Sequence, residues 1–369
     1  MTISTLFESS TINGMALANR FVRSATWEGM ATDDGRTTPK LIETMEALAK
    51  GGVGLIITGH AYVSKAGQAS PWQLGIHDDS LIDGLKSMTD AVHAAGGRIV
   101  SQLAHAGHFA LEKSTGVPPV VVSDFDGLAK TPRRELSLED IDSLKSDYVA
   151  AAGRARAAGF DGIQLHSAHG YLLSQFLSPW FNRRTDKYGG SIDNRVRIHV
   201  ETIRAIREVV GKKFPLLVKM NSEDFSEGGL TLVESIQAAK QMVAAGLDAI
   251  ELSGGLLTGG KRSPSRPHIN SANKEAYFKD SAQAFKKELD MPLILVGGIR
   301  SIEVAEALLA AGTADFISMS RPLIREPALV NRWRSGDRTP ARCLSDNLCF
   351  RPGLTGKGIF CVTEEREHK

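Results

Sequence analysis

Cysteine is missing from the first 342 residues of this 369-residue chain, and the three present, Cys343, Cys349 and Cys361, all fall in the last 27. That placement excludes a disulfide framework for the core. An odd count without an export signal points to reduced thiols or the remnant of a metal site. A strong charge of one sign is also missing: a formal net charge of +2 with 23% charged residues gives no field aimed at nucleic acid or an anionic membrane. A small-molecule partner is the expectation that remains. No apolar run reaches the roughly 18–20 residues that span a bilayer. The opening MTISTLFESSTINGMALANR lacks the basic region and apolar stretch of a signal peptide, so a cytoplasmic protein is expected. The dinucleotide fingerprint GxGxxG is absent after the first strand, and GGVG at 51–54 precedes a strand instead of following one.

What is present is an alternation of short aliphatic runs with helical stretches, the pattern of parallel βαβ units. Eight runs stand out: FVRSAT (21–26), VGLIITG (53–59), RIVSQLAH (98–105), GIQLHSA (162–168), PLLVKMN (215–221), AIELSGG (249–255), LILVGG (293–298) and FISMSR (316–321). Several begin apolar and end polar, as buried parallel strands do when they emerge into a site. Between them, residues 137–159 predict a helix capped by Ser137 with Asp140 and stopped by Gly159; residues 301–312 predict another, from a Ser301 cap to Gly312. Eight such units close into a (β/α)₈ barrel more readily than they form an open doubly wound sheet, which is the runner-up. Three stretches exceed an ordinary loop, 106–136, 169–195 and 256–275, and in a barrel these gather at the catalytic face. Within the last, TGGKRSPSRPH (258–268) reads as mobile or as plain solvated loop.

The fourth run leads into LHSAHGYLLSQFLSPWFNRRTDKYGGSIDNR, where His166, His169 and Tyr171 leave one strand tip together. Two imidazole donors aimed at one point bind a carbonyl oxygen and stabilise an enolate-like charge, and a protonated tyrosine serves a developing carbanion as general acid. A His-x-x-His pair can equally be a metal pair or two structural histidines. Lys219 offers a fixed cation or a salt bridge, and Gln102 a bidentate amide or a buried side chain paired to backbone. The last two runs end in VGGIRS and SMSRP, and loops after the seventh and eighth strands of barrels commonly bind phosphate, so Gly297, Gly298, Ser320 and Arg321 form the phosphate group.

The string from His166 to Arg195, including HSAHGYLLSQFL and RTDKYGGSIDNR, resembles the fourth-strand signature of the Old Yellow Enzyme family of NADH:flavin oxidoreductases, and the likeness extends over nearly the whole chain. It implies one FMN-binding barrel domain over 1–369, with a core of about 19–335, an N-terminal β-hairpin cap and a short cysteine-containing extension over 336–369. It implies His166 and His169 as anchors of the substrate's carbonyl or nitro oxygen, Tyr171 as proton donor and NADH or NADPH as hydride donor. NRFVRSATW is similar to the first-strand motif and sets Ala25 and Thr26 against the flavin. Trp27, where many members have Thr or Cys, is placed at both flavin and substrate. GLIITGHAYVS is similar to the second-strand motif, with Gly59 and His60 beside the ring and His60 where members usually have a small residue. Gln102 is expected on the pyrimidine edge, Lys219 in place of the more frequent Arg beside N1, and Arg321 on the phosphate, preceded by Ser320 where Gly is usual.

CLSDNLCFRPGLTGKGIFC resembles the four-cysteine iron–sulfur segment of larger relatives that reduce dienoyl thioesters, but Asp346 stands where the second cysteine belongs. A structural remnant without a metal is therefore expected. The function implied is ping-pong reduction of α,β-unsaturated carbonyl or other electron-poor alkenes. The alternatives are an FMN-dependent amine dehydrogenase or demethylase on the same barrel, and a flavin-free phosphate-binding lyase or isomerase with Lys219 as its candidate lysine. A homo-oligomer is left open, with Arg325 and Trp333 as candidate contacts.

Overall fold

The structure, a computed structural model, describes residues 4–124 and 132–368. Its centre is a ring of eight parallel strands: β1 (Phe21–Arg23), β2 (Leu55–Ile57), β3 (Ile99–Ala104), β4 (Gly162–Ser167), β5 (Leu216–Asn221), β6 (Ala249–Ser253), β7 (Leu293–Leu295) and β8 (Phe316–Met319). Each pairs with the next, and β8 returns to β1 through Ile317 with Phe21, Ser318 with Val22 and Met319 with Arg23, which leaves the ring no edge. Every predicted strand is found, but most stop short of their polar ends. The seventh ends at Leu295 because Gly297 (φ 143°) and Gly298 (φ 74°) take conformations that a strand excludes.

Helices alternate with the strands on the outside, among them α1 (Pro39–Lys50), α2 (Ile82–Ala94), α3 (Leu138–Ala157), α4 (Arg197–Val210), α5 (Leu232–Ala244), α6 (Lys279–Glu288) and α7 (Ile302–Ala310). Ser137 and Asp140 form the expected capping box on α3, and Gly159 (φ 82°) terminates the turn after it. Ser301 corrects the reading of α7: its side chain makes no cap, because its hydroxyl donates to Glu275 Oε1. Glu275 Oε2 accepts the backbone N–H groups of Arg300 and Ser301, so the helix start is held from the loop after β6.

The N-terminal hairpin (Ser10–Ile12 with Met15–Leu17) turns at Asn13 and Gly14, both left-handed, the preferred pair for a tight hairpin. It presses Ile12, Met15 and Leu17 against Val22, Leu55, Val100, Leu217 and Phe316, closing the N-terminal end of the barrel with apolar side chains. The opposite end is polar inside: Ser24, Gln102, Gln164, Lys219, Glu251 and Ser318 are all buried there. The chemistry is confined to one face by this division.

The loop stretch 169–195 is largely buried and carries helices Leu172–Leu177 and Ile192–Arg195, with Arg195 bonded to Leu177 O and Glu234 of α5. Segment 258–268, read as mobile, is fastened in the structure. Arg266 stacks 4.5 Å over Tyr277, Tyr277 donates to Pro264 O (2.7 Å), and Asn347 donates to Ser265 O (2.9 Å). Part of the stretch 106–136 lies outside the described residues. No described helix is long and apolar enough to cross a membrane.

Candidate active site

The strand tips surround a cavity of roughly 460 Å³, within the usual range for a cofactor or substrate pocket. It brings together Ala25, Thr26, Trp27, His60, Gln102, His166, His169, Tyr171, Lys219, Gly298, Ser320 and Arg321. Two expected contacts lie behind the wall. Gly59 donates its N–H to Glu28 Oε1 (2.9 Å), and a side chain there would collide with that carboxylate; Gly297 accepts from Tyr277 N–H (3.1 Å). Glu28 is itself held by Arg23 at 2.7 Å, with both side chains 4% exposed.

The middle of the cavity floor is a hydrogen-bonded relay that starts at Glu251, a residue the sequence reading passed over. Its Oε1 accepts from Ser24 (2.7 Å), Ser318 (2.8 Å) and Lys219 (3.2 Å), and its Oε2 from Gln164 Nε2 (2.9 Å). Burial alone would raise this carboxyl, but the Lys219 charge and the three neutral donors hold it below the ordinary carboxylate value. Because the carboxylate only accepts, Gln164 must donate to it, and Gln164 Oε1 then accepts from Gln102 Nε2 (2.7 Å). Gln102 is thereby fixed with its carbonyl and one N–H left over for a ring edge that offers a donor and an acceptor. Lys219 lines the cavity and is salt-bridged to Glu251 at once.

The ring cluster sits above. His166 lies 4.5 Å from Tyr171 and 5.5 Å from His169 between centroids, and its ring is nearly parallel to that of His60 (6.1 Å, 8°). His169 adopts φ 66°, held by Asn221 Oδ1 accepting its N–H (3.1 Å), a strained conformation of the kind stored at functional sites. Its Nε2 meets Ser253 Oγ at 2.7 Å. Desolvation, then neighbouring histidines and Lys219, pull His166 well below 6.5; desolvation, then Lys219 and His60, do the same for His169. Both are neutral imidazoles at neutral pH. Burial raises the Tyr171 phenol, which keeps its proton.

The far end is built from the β7 and β8 loops with Ser263 and Ser265. Arg321 donates from Nη1 to Arg266 O (2.9 Å) and Asn347 Oδ1 (2.7 Å), which leaves Nε and Nη2 for an anion. Gly298 needs to be glycine, since a Cβ there would lie 2.7 Å from Tyr277. Thr26 does not act as a free hydroxyl toward the cavity: it donates to Ser24 O (2.9 Å) and pairs with Ser320 Oγ (2.7 Å).

The C-terminal extension supplies a wall. Asn347, Phe350 and Leu354 line the cavity, and Gly353 packs under the Trp27 ring, whose Nε1 is buried without a partner among the described residues. No sequence signal marked these as site residues. Cys343 and Cys349 are buried and Cys361 partly so, all as free thiols. Burial, with Cys343 beside it, pushes Cys349 up to about 12. Among the described residues no group of three or more His, Cys, Asp or Glu is placed to hold a metal.

These parts fit FMN. Gln102 and Lys219 suit the pyrimidine edge, and Arg321, Ser320 and the open backbone at Gly298 suit a phosphate. The buried Nδ1 of His166 has no partner among the described residues and awaits a ligand. Fold and site thus define a flavin-carrying barrel oxidoreductase.

A family model described as the NADH:flavin oxidoreductase / NADH oxidase family matches residues 5–339. The chain is 37% identical over 361 residues to an NADH oxidase of Thermoanaerobacter brockii, covering 96% of this chain and 54% of that protein, so it spans about half that relative's length. It is 36% identical over 324 residues to an NADPH dehydrogenase of Bacillus subtilis (strain 168), covering 87% and 92%. The solved structure of an Old Yellow Enzyme homologue from Zymomonas mobilis superposes with a TM-score of 0.78 at 28% identity, covering 91% and 94%. The chain belongs to the NADH:flavin oxidoreductase / NADH oxidase family, the barrel family of Old Yellow Enzyme.

Proposed function

We propose that the protein reduces electron-poor alkenes, α,β-unsaturated carbonyl compounds foremost, at the expense of NADH or NADPH. The observation that carries this reading is the convergence of His166, His169 and Tyr171 on the cavity that also holds Gln102, Lys219 and Arg321. FMN, when bound, supplies the hydride it has taken from the nicotinamide. His166 and His169 hold the substrate's oxygen. As neutral imidazoles they donate without losing a proton, and each such donor in a dry site contributes about 3–4 kcal/mol to stabilising the charge that develops there. Ser253 pairs with His169 Nε2, so Nδ1 is the nitrogen left for that oxygen. Tyr171 gives its proton to the α-carbon, and the β-carbon takes the hydride.

The test is an anaerobic titration followed by absorbance. Flavin absorption that bleaches with NADPH and returns on adding 2-cyclohexenone establishes the activity, whereas a colourless protein that does not take up FMN refutes it. Nicotinamide and alkene use one cavity in turn, so double-reciprocal plots run parallel; converging plots exclude the shared pocket. Tyr171→Phe slows the alkene half-reaction about 100-fold, the scale of a lost general acid, and leaves reduction by NADPH nearly intact. Equal loss in both halves removes Tyr171 from its role.

A further inference from the structure

One further polar side chain that lines the cavity has no role in the reading above. His60 leaves the tip of β2 and places Nε2 3.0 Å from Tyr171 Oη. On its other side Nδ1 lies 2.7 Å from Gln73 Nε2. Which hydrogen lies in each contact follows from groups with only one option. The backbone N–H of Ala69 only donates, so the Gln73 atom 2.7 Å from it is the carbonyl oxygen. The remaining Gln73 atom is the NH₂, and it also sits 3.0 Å from the carbonyl of His60, which only accepts. Two independent partners thus orient the Gln73 amide the same way. Its NH₂ donates to His60 Nδ1, which must be bare. Desolvation brings His60 down to about 4, so the ring is neutral and its one hydrogen is on Nε2.

We infer that Gln73 locks His60 as the Nε2–H tautomer, and that His60 is a positioning residue that donates to Tyr171 Oη and turns the phenol's own hydrogen into the cavity. The inference rests on the alkene-reduction reading for its consequence, not for its geometry. A hydroxyl whose lone pair is already engaged by His60 has its O–H free for a substrate carbon. When that proton goes to the α-carbon, the O–H bond breaks, a C–H bond forms, and the phenolate left behind keeps the His60 N–H as its hydrogen-bond donor. Water entering the cavity after product leaves restores the phenol. His60 itself neither gains nor loses a proton, because Gln73 can neither give nor take one at Nδ1.

Two measurements test this on the FMN-loaded protein. Nitrogen NMR of histidine-labelled enzyme between pH 6 and 8 shows a His60 ring with unprotonated Nδ1 and protonated Nε2; the opposite tautomer overturns the inference outright. Single-turnover oxidation of reduced enzyme by 2-cyclohexenone then reads the coupling. His60→Phe, which keeps a ring but removes the donor, lowers the rate about tenfold, the worth of one hydrogen bond. Gln73→Met, which leaves the tautomer free, lowers it less. In a Tyr171→Phe background neither change has further effect, because the residue through which His60 acts is gone. An undiminished His60→Phe loss in that background shows a merely structural role and refutes the inference. If Tyr171→Phe costs nothing while the Nε2–H tautomer is found, the alkene-reduction reading fails and the tautomer lock stands.

Discussion

Replacing Glu251 by Gln changes almost no volume and removes one buried charge. Lys219 Nζ, 3.2 Å away with its side chain 4% exposed, then has no anion beside it. Breaking a buried pair from one side costs about 3–5 kcal/mol. For a chain of 369 residues the unfolding entropy is about 0.8 kcal/mol/K. The expected loss in Tm at pH 7 is therefore about 4–6 °C. Calorimetric melts of both proteins at equal FMN saturation measure it, and a deficit below 1 °C refutes the claim that the pair is a mutually dependent buried unit. The new amide also sets a donor against the donors that Glu251 accepts, and Gln164 can adapt only by giving up Gln102.

Two further outcomes follow from the same geometry. His60, His105 and His108, each brought by burial from 6.5 to about 4, take up protons in the unfolded chain before they do in the folded one; stability therefore falls as pH drops from 6.5 toward 4. Melts at pH 7, 6 and 5 check this, and a Tm that is flat or rises toward pH 5 contradicts it. Gly298→Ala sets a Cβ 2.7 Å from Tyr277 at φ 74°, so it displaces the ring that fastens Pro264 and weakens FMN binding by about tenfold or more in a fluorescence titration. Unchanged affinity separates this loop from the phosphate.

The fold was legible because burial on both faces writes itself as aliphatic runs, and LLVKMN or GIQLHSA has no other place to go than a covered parallel sheet. Strand ends were less so. Whether a polar tip continues the ladder depends on backbone conformation, as at Gly297, and on tertiary partners, as at Ser301, whose hydroxyl prefers Glu275 to its own helix. The His166, His169 and Tyr171 group could be read as a unit because it is contiguous on one strand tip, and a barrel delivers all its tips to one face.

What could not be read is the set of residues that orient others, and the reason is physical. Gln73 and Gln164 do not themselves line the cavity; their effect depends on which end of a symmetric-looking amide faces a partner elsewhere in the sequence. One signal was present. A glutamate inside AIELS, on a strand buried throughout, is costly unless a cation and donors meet it there, so its place in the sequence alone requires partners such as Lys219 for Glu251. Following that requirement outward reaches Gln164, then Gln102, then the cavity. The buried carboxylate, two hydrogen bonds away, decides which atoms Gln102 turns to the cavity. By the same logic, the amide that seems remote from Tyr171 decides where the phenol points its proton.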